Sequence, residues 1–335
     1  MMQPVVPEQE TDNYFTAGPG SMTVGAIAAI IMIAATTFLM PSLSPAAEFG
    51  VCFSLPANPL PHQIGCGINT LLIAFAIFLA FLFNKKHSFV RSTEAVLPTA
   101  MAVILASNPV NTSYLGAPVV MLIVNLVCLD IMMKAYNAEN ATTSMFAIAT
   151  YLSVGSMVEY AFLALIIIYP IMAIMSKVLR LKEIVAYLMG LVAPYWVALG
   201  FGIISFSDFR MPQFLVNIPN ADGNYLLMVF ISLCTLALVG LMMTLNNAML
   251  IYAGNMKVRT YNNMINLLGF SCGIFMLADF DNFGAYASSF CFAVSVQISN
   301  FFAMRRIPQS PIWFWGLLSL FIALFLFMLI ESLIG

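Results

Sequence analysis

The sequence predicts an all-α polytopic transmembrane helix bundle of about eleven spans, N-terminus in and C-terminus out, and three observations carry that expectation. Hydrophobic residues fill 62% of the 335 positions and charged residues only 8%, against about 25% charged in a soluble domain. Mean hydropathy is +0.97, which suits a chain whose solvent is mostly lipid. The few basic residues recur at intervals that place nearly all of them on one side of a membrane. With 12 Lys+Arg, 14 Asp+Glu and a net charge of -2, no basic surface exists to neutralise phosphates, so nucleic acid is excluded as a partner. The bilayer itself is the first partner.

Residues 1–20 contain Glu8, Glu10 and Asp12 but no Lys or Arg. They read as a short polar cytoplasmic tail rather than a secretory signal, which needs a positive start. The remainder, 21–335, reads as one membrane domain. Apolar runs long enough to cross about 30 Å of hydrocarbon at 1.5 Å per residue lie near 22–40, 66–83, 114–133, 160–176, 184–206, 225–245, 263–278, 283–303 and 311–333. Two shorter runs, 94–107 and 144–157, have the length of thin or re-entrant helices.

Cytoplasmic loops collect Lys and Arg, and this rule tests the count. Threading eleven spans from a cytoplasmic N-terminus puts Lys85, Lys86, Arg91, Lys134, Lys177, Arg180, Lys182, Lys257, Arg259, Arg305 and Arg306 inside. Only Arg210 falls outside. Removing either short span alone scrambles the pattern, so the two stand or fall together. Longer external segments then lie at 41–65 and 207–224.

The first of these carries Pro41, Pro45, Pro56, Pro59 and Pro61, which excludes helix and central strand. Cys52 lies in it and Cys66 at the mouth of the next span. A bridge between them on an oxidising face would close a loop of about 15 residues, worth about 3 kcal/mol; two unpaired thiols are the alternative. Cys128, Cys234, Cys272 and Cys291 fall within spans, where cysteine behaves as a small apolar residue.

Chemistry is excluded by shortage. The two histidines, His62 and His87, both fall in loops on opposite sides, so haem, di-iron and zinc-protease sites at membrane depth lack ligands. No metal and no cofactor is expected. Asp130 comes nearest to a midplane carboxylate, but Lys134 follows four residues on, and an i, i+4 pair at the headgroups accounts for both. Glu94, Glu159, Asp279, Asp281 and Glu331 fall at span ends, where solvation is cheap.

Amides and hydroxyls remain. Asn69, Asn125, Asn246, Asn247, Asn266, Gln297 and Asn300 lie in or beside spans, as helix glue at about 0.6–2 kcal/mol each. Asn246 and Asn247, with Asn262 and Asn263 across the same internal loop, form a candidate polar mouth. Pro98, Pro118, Pro170 and Pro194 are read as kinks that could border a cavity. Outside the spans, Glu48 with His62 is the candidate catalytic pair. Asp208 with Arg210 reads as a solvated ion pair, and Asp279 with Asp281 as helix-capping residues.

The stretch 134–202 pairs a short span and a Glu159–Tyr160 corner with a basic loop and KEIVAYLMGLVAPYW. Through Lys182, Glu183, Gly190, Leu191, Pro194 and Tyr195 it resembles a family of uncharacterised multi-pass inner-membrane proteins of Bacteroidota. The resemblance covers about a fifth of the chain and implies location, not mechanism. The same hairpin more faintly resembles multi-span polyprenyl-linked glycosyltransferases. That likeness implies an acid in the first external loop, where only Glu48 stands, and the paired acidic motif of those enzymes is missing.

Three readings follow. A structural or assembly subunit of an envelope complex, with other envelope membrane proteins as partners, needs no buried chemistry and leads. A lipid-linked sugar transferase or polymerase would use Glu48. A facilitator for a neutral or amphiphilic solute would use the amides and the kinking prolines.

Overall fold

In lipid, every backbone N–H and C=O must pair within its own segment, and the chain meets this demand almost wholly with α-helices. The computed structural model describes residues 19–40, 47–56, 60–90, 95–210, 223–252, 255–279, 282–304 and 310–334. Among them are α1 (Pro19–Leu39), α2 (His62–His87), α3 (Val96–Ser107), α4 (Pro109–Thr112), α5 (Ala117–Lys134) and α6 (Thr142–Val158). There follow α7 (Ala161–Met175), α8 (Leu181–Gly200), α9 (Gly223–Tyr252), α10 (Met256–Ala278), α11 (Phe283–Met304) and α12 (Ser310–Ile334). Six of these, α1, α2, α5, α8, α9 and α12, are long and apolar enough to cross a membrane. The first eighteen residues lie outside the described residues, and α1 already begins within the segment read as a polar tail.

Packing sorts the helix ends into two groups. At one end, Ser21 of α1 meets Thr99 of α3 at 3.5 Å, and Tyr261 of α10 donates to the Met133 carbonyl of α5 at 2.9 Å. There too the Asn137 N–H reaches Ser176 after α7 at 3.1 Å, and the Ala141 N–H before α6 reaches Glu183 of α8 at 3.4 Å. Lys86, Lys134, Lys177, Arg180, Lys182 and Lys257 lie in the same segments; this is the basic end. At the other end, Cys66 of α2 donates to the Ser113 carbonyl at 3.3 Å. Tyr286 of α11 donates to Asp279 at 3.0 Å, and Arg210 lies there. Successive long helices alternate in direction between the ends, with the short α4 following α3 before α5 turns back.

Two helices fill the centre. All twelve residues of α3 are buried, and α11 packs against α3, α5, α9 and α10. Glycines let neighbours approach closely: a Cβ on Gly240 of α9 would stand 2.7 Å from Val294, and one on Gly269 of α10 would stand 2.7 Å from Ala293. The outer helices leave broad apolar faces outward, with Trp196 at 74% and Leu277 at 80% exposure.

The proline-rich segment forms an antiparallel hairpin of β1 (Ala47–Phe49) and β2 (Ser54–Pro56), with Glu48 opposite Leu55. Residues 41–46 and 57–59 lie outside the described residues. The hairpin turn is pinned to the bundle, because the Val51 N–H donates to Ser156 O at 3.0 Å and Phe53 N–H to Met157 O at 3.0 Å. These are carbonyls of the last turn of α6, which have no partner within the helix. The Arg210 N–H closes on Val51 O at 2.9 Å.

Several expectations from sequence are corrected here. His62 opens α2 and His87 ends it, so neither lies in a loop, and the helix outruns the apolar segment 66–83. Pro118 stands at the start of α5 and Pro98 in the first turn of α3, where a missing N–H is harmless. Of these four prolines, only Pro170 and Pro194 lie in helix interiors. The break that matters comes at Pro109, which ends α3 and starts α4.

Candidate functional site

The sequence of α11, FGAYASSFCFAVSVQISNFFAM, is too polar for a helix buried on every side unless each polar group finds a partner. Its side chains recruit one from nearly every neighbour, and together they form a seam. Ser288 donates to Asn111 Oδ1 at 2.8 Å. Ser289 accepts from Asn125 of α5 at 2.8 Å, whose Oδ1 in turn accepts from Tyr169 of α7 at 2.9 Å. Further along, Gln297 donates to Asn266 Oδ1 at 2.7 Å, while its own carbonyl accepts from Asn247 at 2.7 Å. Asn300 donates to Asn262 Oδ1 at 2.6 Å, and Asn262 reaches the Phe89 carbonyl at 3.2 Å. The polar groups therefore run along α11 from its start near Tyr286 to the basic end.

The helix break supplies the densest part. Asn108 caps α4, its Oδ1 accepting from the Val110 N–H at 3.1 Å, and Pro109 at the first position forbids continuation of α3. Asn111 spans the gap, donating to the Leu105 carbonyl at 3.3 Å. Asn69 of α2 donates to the Asn111 carbonyl at 2.8 Å. Among the described residues, Asn69 Oδ1, Thr112 Oγ1, Asn247 Oδ1, Asn300 Oδ1 and Glu183 Oε2 are buried without a hydrogen-bond partner in the protein.

At the basic end Asp130 gathers two lysines and a histidine. Lys86 lies at 3.0 Å and His87 at 2.7 Å, and Lys134 completes the set. The i, i+4 pairing with Lys134 was legible; Lys86 and His87 come from α2. The His87 ring is 6% exposed and packs edge-on against Tyr261, centroids 5.6 Å apart. Asp130→Ala is expected to cost about 1 kcal/mol, since Lys86 and Lys134 are half exposed and screened while the buried His87 loses its partner. Unfolding in detergent at two salt concentrations checks this, and a loss that disappears entirely at high salt would contradict the buried His87 contribution.

The candidates from sequence separate. Glu48 lies in β1 and its side chain is outside the described residues; His62 faces Cys66, with a ring nitrogen 3.8 Å from the sulfur. The Cys52–Cys66 bridge is not formed: both are free thiols, Cys52 packed with Met157, Ala198 and Ile204 and Cys66 bonded to Ser113. Burial, then the charge of Asp208, pushes the Cys52 thiol up from its ordinary range, away from the thiolate that exchange requires.

The four-residue mouth also comes apart. Asn246 donates back to Met242 O of its own helix at 2.8 Å, Asn263 is half-buried, and Asn247 and Asn262 belong to the buried seam. Asp208 turns to Ser205 rather than Arg210, accepting from its N–H and hydroxyl at 2.8 Å, and these donors, backbone first, hold its carboxyl below the usual range. Asp279 accepts from Asn282 and Tyr286, while Glu94 and Asp281 lie outside the described residues. Glu159 is not cheaply solvated: it is 3% exposed, sealed at the turn between α6 and α7.

Reading from sequence missed Asn111, Thr112 and Ser288 as a unit. The signal was present in Asn108–Pro109, a turn dipeptide inside an apolar run, and in the i, i+4, i+7 spacing of His62, Cys66 and Asn69. No protein family, curated protein or solved structure matches the chain.

Proposed function

We propose that the chain is an inner-membrane protein crossing the bilayer eleven times with its basic end in the cytoplasm, N-terminus in and C-terminus out, and that it is a facilitator for a small neutral solute. The end-to-end alternation of the helices supports the crossing count, and the clustering of basic residues supports the orientation. The observation that carries the function is the seam on α11. Glue between helices needs paired groups, and each buried orphan costs about 1–3 kcal/mol. A seam that runs the length of a central helix and leaves acceptors open suits passage of something that brings its own donors. A broken helix beside the seam, α3–α4, supplies a place where the backbone can yield.

The close packing of α3 and α11 favours a second reading, a structural subunit of an envelope assembly. Proteoliposomes separate the two: a facilitator accelerates entry of small uncharged solutes over empty vesicles, and a structural subunit leaves entry unchanged. Reporter fusions near 88, 180 and 307 should lie in the cytoplasm and those near 55 and 215 outside. Residues 55 and 180 on one side would end the topology.

A further inference from the structure

His62, Cys66 and Asn69 follow one face of α2 at spacings of four and three, descending from the end opposite the basic one to the helix break. Cys66 stands 3.8 Å from the His62 ring and donates to Ser113 O at 3.3 Å. One turn deeper, Asn69 donates to the Asn111 carbonyl at 2.8 Å, the carbonyl of the peptide bond that leads into Thr112. His62 is partly exposed, while Asn69 and Thr112 are 0% and 1% exposed. The ladder runs from a partly exposed ring to two buried polar side chains.

The balance of donors and acceptors around those side chains is uneven. Asn111 is fully engaged: its amide nitrogen reaches Leu105 O, its Oδ1 accepts from Ser288, and its N–H donates to Asn108 O at 3.0 Å. Asn69 has spent its donor on Asn111 O, yet Asn69 Oδ1 has no partner, and neither does the Thr112 hydroxyl. Two buried polar groups without partners flank one peptide bond, and neither is charged. A bare cation gains too little from two neutral oxygens to offset its desolvation, and an anion would face Asn69 Oδ1. What fits is an uncharged molecule that donates to Asn69 Oδ1 and pairs a second polar group with the Thr112 hydroxyl.

We infer that Asn69 and Thr112 form the binding site for a small uncharged solute carrying at least two polar groups, one of them an N–H or O–H donor, of the size of a primary amide or a diol. This rests on the facilitator reading and specifies its substrate class. Water has the same chemistry and is the smallest such molecule, so the test must distinguish it.

The full chain in proteoliposomes is assayed by stopped-flow light scattering with inward gradients of urea, acetamide and glycerol, and separately for water permeability. Thr112→Val keeps the side-chain shape and removes an orphan hydroxyl, so it should fold; Asn69→Leu is the second variant. Monodisperse elution and melting temperature report on folding. The expected result is entry of at least one of the three solutes above empty vesicles, slowed about tenfold by Thr112→Val, the loss of one hydrogen bond. Solute entry that Thr112→Val and a folded Asn69→Leu leave unchanged overturns this site while the facilitator reading stands. Permeability to water alone overturns the solute class. No accelerated entry of any solute or of water removes the facilitator reading, and this inference with it.

Discussion

Asn111→Leu should destabilise the protein by about 2–3 kcal/mol, the largest loss expected from a change that conserves volume in the seam. Leucine fills the space but leaves the Ser288 hydroxyl without its acceptor at 2.8 Å and the Leu105 carbonyl without its donor at 3.3 Å. An orphaned buried group costs about 1–3 kcal/mol in water-soluble proteins. Interhelical hydrogen bonds in membranes measure lower, about 0.6–1.7 kcal/mol, because the separated helices find other partners. Two bonds on the lower scale give about 1–3.4 kcal/mol, and the figure above lies in the upper part of that range. Ser288→Ala should lose about 1 kcal/mol, and the double variant should lose about 1 kcal/mol less than the sum, since the Asn111–Ser288 bond is counted in both. Unfolding of all four proteins in mixed micelles measures the cycle; strict additivity would mean that the bond at the helix break contributes nothing.

The second large effect belongs to Gly190. α6 and α8 run parallel, with Ala141 beside Glu183 at one end, and Ser156 bonded to Tyr195 at 2.8 Å toward the other. Midway, a Cβ on Gly190 would sit 2.5 Å from the Phe146 carbonyl oxygen and 2.8 Å from the Ala149 Cβ. The first of these is backbone and cannot rotate away. Gly190→Val therefore forces the helices apart and lengthens the Ser153 to Leu191 O and Thr150 to Gly190 O bonds, now 2.7 and 3.4 Å. Overpacking costs about 1–3 kcal/mol, and the stretched bonds should bring the total to about 3 kcal/mol. Because α8 buries only Glu183, Tyr187, Gly190 and Ala198, the damage should stay local. Protease accessibility of the Gly200–Arg210 segment should rise while the α10–α11 pair keeps its hydrogen-exchange protection. Equal loss of protection in both places would contradict a local separation.

Helix existence was legible in the sequence because apolar length is a property of single segments. The short runs 94–107 and 144–157 show the limit. Each is too short for hydropathy to decide, and only the threading of the basic residues argued for them as spans; the structure shows both as short apolar helices. The structure completes the first with α4, across a break that hydropathy cannot register because Asn108 and Pro109 sit among apolar neighbours. Site residues were less legible for a related reason. Asn69, Asn125, Gln297 and Asn300 were recognisable as interior amides, but partner choice depends on crossing geometry between helices far apart in sequence, as Asn111 and Ser288 are. Glu159 misled because position near a span end suggests water, whereas the turn between α6 and α7 leaves it 3% exposed. Gly190 stood out only within a resemblance; its close approach to Phe146 is a property of the packed helix pair, not of either segment alone.

The β1–β2 hairpin, strapped by its turn over the end of α6, also bears on the order of assembly. Val51 and Phe53 take their partners from Ser156 and Met157, and Val51 O takes its partner from Arg210. About a hundred residues of chain must therefore follow the strap before its first acceptors exist, and some fifty more before Arg210 arrives. At 5–20 residues per second of synthesis, the first wait alone lasts about 5–20 s. During that time α1 and α2 are already in place while the turn between them has nothing to bind, and a Cβ at Gly50, which would strike the Met157 carbonyl, would meet no obstacle. The chain thus discovers an error at Gly50 only after α6 has emerged, when the preceding helices are committed, so a defect in the earliest loop would show itself as late failure to close rather than as failure to insert.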